Sequence, residues 1–161
     1  MHWMYRAIVL VPLALAAGCG FHLRGQLPLP AVAARPYIET GDRYSPLYAA
    51  LTSQLRAAGA SLAPDAATAS AVIRLHVDST GRELLSIAAN NKPGEYEVYY
   101  AAEYSVTAGE RELLARRQAR LTRDYSYDEA EVLAKEHEEQ SLRVALADEL
   151  AALILRRLAA L

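Results

Sequence analysis

Apolar residues recur at two different spacings along this chain, and each change of spacing marks a new element. Ile73, Leu75 and Val77 alternate with Arg74, His76 and Asp78, the two-residue period of a strand with one face buried. The run is read as continuing through Leu85 and Ile87 after an irregularity at Gly81, until Asn90-Asn91-Lys92-Pro93-Gly94 turns the chain. A second alternation places Tyr96, Val98, Tyr100, Ala102, Tyr104 and Val106 on one face and Glu97, Tyr99, Glu103, Ser105 and Thr107 on the other. Gly109-Glu110 reverses the chain, and a third run sets Leu113, Ala115, Ala119 and Leu121 against Arg116, Gln118, Arg120 and Thr122. Three strands in succession with short turns predict an antiparallel meander, covered on one face and wet on the other.

Two stretches with helical spacing supply the cover. Ser45-Pro46 is an N-cap followed by a first-turn proline, and Leu47, Leu51, Leu55 and Ala58 follow at four- and three-residue steps until Gly59. Ser126 with Glu129 three residues later forms a capping-box pattern, and from there Leu142, Leu146, Leu150, Leu153, Ile154, Leu158 and Leu161 hold one stripe. Arg156 and Arg157 lie near the end of that helix, where its dipole favours cations. Pro36 to Thr40 is a short β-rich run closed by Gly41-Asp42, and Ala60 to Ser70 is an Ala-rich connection. The order is βαβββα. It predicts an α+β two-layer sandwich, a four-stranded, mostly antiparallel sheet with two helices packed on one face, as a single domain over residues 35–161.

The residues ahead of that domain divide in two. Residues 1–18 run from Met1 to Arg6 with one basic side chain, through the apolar Ala7 to Leu15, to the small residues before Cys19, which is the order of a cleaved secretory signal. A membrane-spanning helix needs roughly 20 apolar residues, and this stretch ends too soon. Leu15-Ala16-Ala17-Gly18-Cys19 is where a bacterial lipoprotein is cut and acylated, so Cys19 is the predicted lipidation site, carrying S-diacylglycerol and an N-acyl chain. The competing reading is an ordinary secreted protein with a free thiol. Several acyl chains hold a protein on a bilayer stably, at about 0.8 kcal/mol per buried methylene. A lone cysteine closes no internal disulfide, which lipidation also explains in an exported chain. Gly20 follows the cysteine, the position where Asp marks inner-membrane retention, so the expected destination is the periplasmic side of the outer membrane. Residues 19–34, with Gly25, Pro28 and Pro30, are read as an extended tether on which Phe21, Leu23 and Arg24 are available for docking.

Composition narrows the function classes. Removing residues 1–18 from 161 leaves 143, with 16 basic and 19 acidic side chains. A formal charge near minus three gives no ground for nucleic-acid binding. Ten Tyr against one Phe and one Trp favour positions that are apolar at one end and wet at the other. No Gly-x-Ser-x-Gly turn, His-Glu-x-x-His helix, P-loop or dinucleotide glycine pattern occurs, and an acylated Cys19 is no nucleophile. Lys135-Glu136-His137-Glu138-Glu139 reads as a solvated helical face rather than a metal site, because adjacent helical residues point different ways. The chain is therefore expected to be no enzyme, with no metal and no cofactor beyond the lipid on Cys19.

Basic residues are unevenly placed. Arg111, Arg116, Arg117, Arg120 and Arg123 crowd the last strand, and Lys92 and Lys135 are the only lysines. Arginine suits bidentate phosphate contact, so a phosphorylated glycolipid is one reading of the uncovered face. A salt-bridge ladder with Glu97 and Glu103 is the other.

Together these stretches resemble the LPS-assembly lipoprotein LptE (RlpB) family. Cys19-Gly20-Phe21-His22-Leu23-Arg24 is similar to the start of its mature members, Ser45-Pro46-Leu47 through Gln54-Leu55 to Gly59 to their first helix, and Glu95-Tyr96 to the opening of a strand. Tyr125-Ser126-Tyr127-Asp128, Leu133-Ala134-Lys135 and Glu138-Glu139-Gln140 are similar to the approach to their last helix. The resemblance implies a one-to-one plug inside the LptD outer-membrane β-barrel that assists barrel assembly and lipopolysaccharide delivery without chemistry. It also implies lipopolysaccharide contact at Lys135. A second basic position of the family falls on Ala89, with Lys92 three residues on. Lys135, Lys92, Arg116 and Arg120 are thus the candidate lipopolysaccharide-binding residues, and a free-standing periplasmic adaptor or glycolipid carrier is the alternative function.

Overall fold

Sheet order follows chain order. In the computed structural model, which describes residues 29–161, β1 (Pro36–Glu39), β2 (Ala71–Ile87), β3 (Pro93–Ala108) and β4 (Arg111–Ser126) lie side by side. β1 runs parallel to β2, and the other two pairings are antiparallel. The parallel step needs a crossover, and α1 (Pro46–Ala57) provides it. The second helix, α2 (Val132–Leu158), lies beside α1, and both cover one sheet face. The α+β two-layer architecture in the order βαβββα is therefore the observed one. The expected signal segment, Cys19 and residues 20–28 lie outside the described residues. At the end of the expected tether, Ala31–Ala33 wind into a 3-10 turn with Ala33 buried, and the amide of Ser61 donates to the Ala34 carbonyl at 2.9 Å.

The first helix starts where its cap requires. Ser45 Oγ accepts from the Tyr48 amide at 3.1 Å, and Pro46 supplies a preset φ without a stranded donor. Leu47, Leu51 and Leu55 are then fully buried, each worth about 1.5–3 kcal/mol relative to exposure. Gly59, at φ 89°, ends the helix in a conformation that Gly adopts without a Cβ clash. The last helix starts later than the capping box at Ser126 predicts. Ser126 is still in β4, the Asp128 carboxylate accepts from the Ala130 amide at 2.9 Å, and a 3-10 turn at Glu129–Glu131 leads into α2. Leu146, Leu150, Ile154 and Leu158 face Tyr100, Tyr104, Val98 and Val106 in the core, whereas Leu161 is about half exposed.

Register shifts along β2 and β4 alter the faces expected from strict alternation. Leu75 pairs with Tyr104 but Val77 pairs with Glu103, so His76 is an extra residue and the side chains of β2 from Val77 to Leu84 change sides. Val77, expected in the core, is on the uncovered face and 40% exposed, while Asp78, expected in water, points toward the helices. Leu85 is a second extra residue in β2. In β4 the register slips between Arg117 and Leu114, which places Leu114 opposite Val106, where alternation puts Leu113 and Ala115. Gly81 carries no irregularity. The strand runs straight through it because the Tyr99 ring lies across the space a Cβ would fill, 2.6 Å from Tyr99 Oη.

Candidate functional site

The only two lysines, far apart in sequence, line one cleft. It is about 750 Å³ and lies between the β2–β3 turn, the end of β4 and the first turn of α2. Asn91 at φ 61° and the amide of Ala88 donating to the Lys92 carbonyl at 2.7 Å shape the turn that presents Lys92. The amide of Tyr127 donates to the Gly94 carbonyl at 2.9 Å and ties the turn to the approach of α2. Lys135 follows one turn into the helix, its side chain only 14% exposed and its Nζ donating to Glu138 at 2.9 Å. Lys92 is ion-paired with Glu129, which raises its pKa, first through the hydrogen bond and then through the charge. Asp128, Glu129 and Glu131 also line the cleft, so its cations arrive already balanced by carboxylates. An anionic ligand there has to displace Glu129 and Glu138 from the two ammonium groups.

Arg116 and Arg120 stand elsewhere, on the uncovered sheet face. Arg120 donates to Glu83 at 2.9 Å and to Glu97 at 3.3 Å, with its guanidinium 4.0 Å from the centre of the Tyr99 ring. Arg116 pairs with Glu103, which is nearly buried and also accepts from Gln118 Nε2 at 2.8 Å. These are cross-strand ladders of the kind the alternation allows. Arg123, by contrast, is opposite Val98 on the helix side and reaches Glu149 of α2 at 2.6 Å. The structure thus brings Lys92 and Lys135 to one cleft and leaves Arg116 and Arg120 on the uncovered sheet face, each in its own ion pairs.

A match to the LptE family model, described as lipopolysaccharide-assembly, spans residues 34–158. The chain belongs to the LptE family. Its sequence is 28% identical over 160 residues to LPS-assembly lipoprotein LptE of Yersinia enterocolitica, covering 96% of this chain and 77% of the relative. It is 26% identical over 144 residues to LptE of Photorhabdus laumondii, covering 89% and 79%. Among solved structures, rare lipoprotein B of Shewanella oneidensis superposes with a TM-score of 0.68 at 28% identity, covering 78% of this chain and 94% of that one. Lipoprotein B of Nitrosomonas europaea superposes at 0.70 and 25% identity, covering 88% and 91%.

On this LptE fold, one polar cluster escaped the sequence reading. Arg82, Tyr125, Glu139 and Arg143 meet beneath the first half of α2, where α1 no longer covers the sheet. Glu139 accepts from Tyr125 at 2.9 Å, from Arg82 at 2.9 Å and from Arg143 at 2.5 Å. Burial raises the Glu139 pKa, but hydrogen bonds from Arg143, Tyr125 and Arg82 outweigh it and hold the carboxyl below its usual range. Arg82 also stacks 4.6 Å from the Tyr96 ring, which itself stacks on Tyr125 and meets Tyr127 edge-on. Glu139 and Arg143 are four apart on a helix and so were visible as a pair. Arg82 was not, because the bulge at His76 is what turns it toward α2. His76 itself contacts Ser105 Oγ at 2.9 Å on the open face, its pKa lowered by burial and then by Arg116 and Arg74. Among the described residues no group of three or more His, Cys, Asp or Glu is placed to hold a metal, and no helix is long and apolar enough to cross a membrane.

Proposed function

We propose that this LptE-family chain is a nonenzymatic outer-membrane lipoprotein, anchored through acylated Cys19 on the periplasmic side. In this reading it docks as a plug in the lumen of an LptD-type β-barrel, assists assembly of that barrel and aids delivery of lipopolysaccharide to the outer leaflet. The observation that carries the reading is a filled two-layer core beneath an open sheet face lined with charge. Tyr100, Tyr104, Leu47, Leu146, Leu150 and Ile154 close the space between sheet and helices. A glycolipid carrier needs an enclosed apolar cavity there. A plug needs a solid body with polar walls, because barrel interiors are polar. Glu83, Glu97, Arg120, Arg116 and Gln118 give the uncovered face that character.

The cleft of Lys92 and Lys135 is the proposed lipopolysaccharide contact. Phosphates on the ligand would replace the carboxylates of Glu129 and Glu138, so the exchange is weaker than binding to free ammonium groups. The test is purification of the tagged full-length chain from native membranes. Co-migration with a large barrel, and lipopolysaccharide retained in the periplasm on depletion, are the expected results. A chain that purifies without a barrel, with normal surface lipopolysaccharide after depletion, overturns the reading in favour of a free-standing adaptor. Loss of membrane attachment in Cys19→Ser tests the anchor.

A further inference from the structure

A second cleft, outside the sites described above, carries cations that no carboxylate balances among the described residues. It is about 290 Å³ and is bounded by β1, the outer face of α1 and the segment that follows α1. Arg43 and Arg56 both line it, and neither has a carboxylate within ion-pair distance among the described residues. Arg43 Nη2 donates to Tyr37 Oη at 2.8 Å, a neutral partner that orients the guanidinium without cancelling its charge. The nearby acids are otherwise engaged: Asp42 Oδ1 accepts from the Tyr44 amide at 2.8 Å, Asp65 Oδ1 accepts from the Thr68 amide at 2.9 Å, and neither lines the cleft. Tyr48, Ile38 and Leu62 complete the lining with aromatic and apolar surface.

We propose that this cleft binds a phosphorylated sugar. Two guanidiniums offer the donor-only, forked geometry that matches phosphate oxygens, and the Tyr37 hydroxyl, which accepts from Arg43, keeps its own proton to donate. The tyrosine and aliphatic walls match the C–H faces of a sugar ring, which an inorganic ion does not use. The volume is at the lower end of the roughly 300 to 1,000 Å³ of small-ligand sites, so it admits one ring and its phosphate rather than acyl chains. The contrast with the lysine cleft is electrostatic. There an incoming anion must displace glutamates, whereas here it meets two guanidiniums, one oriented by a phenol and neither paired with a carboxylate among the described residues. The inference does not depend on docking in a barrel.

The experiment is calorimetric titration of the full chain in mild detergent with glucose 1-phosphate, glucose and inorganic phosphate. Saturable binding of glucose 1-phosphate is expected, weakened at least tenfold by Arg43→Ala and by Arg56→Ala, partly restored by Arg43→Lys, and unchanged by Arg156→Ala, an exposed arginine outside both clefts. Melting temperatures within a few degrees of the parent show that the arginine variants are folded. Absence of saturable binding overturns the proposal, as does binding that survives both arginine variants. Inorganic phosphate binding as tightly as the sugar phosphate also overturns it. Presenting the same phosphosugar on a lipid in phosphatidylcholine vesicles identifies the source: tighter binding than to the free compound upholds the site as one for a lipid headgroup, and equal or weaker binding upholds it as one for a soluble sugar phosphate.

Discussion

Tyr100 Oη donates to Asp78 Oδ1 at 2.7 Å, joining β3 to β2 directly beneath the start of α1. The same carboxylate accepts from Ser45 Oγ at 2.5 Å through its other oxygen, and the Leu47 amide donates to Tyr100 Oη at 3.2 Å. Ser45 in turn caps the Tyr48 amide. One acid, one phenol and one hydroxyl therefore satisfy two orphan amides of the helix and fix its N-terminus to the sheet. Burial and then Asp78 push the Tyr100 phenol strongly upward in pKa, so it stays a donor throughout the physiological range.

Asp78→Ala leaves Ser45 and Tyr100 without their shared acceptor inside the layer interface. The expected cost is about 1.5–3 kcal/mol, the range for hydrogen bonds to a charged group. Chemical denaturation of the parent and variant measures it. A loss under about 0.5 kcal/mol would mean that the cap holds without the sheet.

Glu139 makes stability pH-dependent. Its folded pKa is below the ordinary value of 4.5, so the unfolded chain takes up the proton first as pH falls. The network's stabilisation is complete above that ordinary value and is lost as pH drops through the lower folded pKa. Glu139→Gln should reduce stability at neutral pH by about 1.5–3 kcal/mol and flatten the acid side of the profile. Melting curves between about pH 7 and pH 3 decide it, and parallel profiles for the two proteins would remove Glu139 from the acid response.

Thr52 Oγ1 is buried and finds no hydrogen-bond partner among the described residues. Thr52→Val keeps the shape, removes the stranded hydroxyl and leaves helix propensity nearly unchanged. Stability should rise by about 0.5–1 kcal/mol. A decrease would show that the hydroxyl is satisfied in solution.

A Cβ at Gly81 would fall 2.6 Å from Tyr99 Oη and 2.8 Å from Tyr99 Cζ. Gly81→Ala therefore has to push the Tyr99 ring from beneath Arg120, at a cost of about 1–3 kcal/mol. Because the two residues share one space, adding Tyr99→Ala should cancel most of that penalty in a double-mutant cycle. Strict additivity would show that the ring does not occupy the glycine's place.

Much of this architecture was legible because its signals are local. Ser45-Pro46 and Gly59 marked both ends of α1, and the six alternating residues from Tyr96 to Val106 identified the inner face of β3. The helix α2 starts later than the capping box at Ser126 predicts because pairing of Ser126 with Glu95 keeps Ser126 in the sheet. At the candidate site, both lysines and the i,i+3 partner Glu138 of Lys135 were legible, but the pairing of Lys92 with the distant Glu129 was not. Arg43 and Arg56 carried no sequence signal, since a cleft between strand and helix exists only after packing.

By itself the sequence determined the element order, the caps and the stripes that had to be buried, because each depends on residues within a turn or a strand of one another. Tertiary structure alone decided which way β2 faces after His76. A bulge is set by the register of the neighbouring strand, and the one extra residue moves the side chains from Val77 to Leu84 across the sheet. That single reversal carries Asp78 to the cap of α1 and Arg82 to Glu139, and leaves Val77 on the open face.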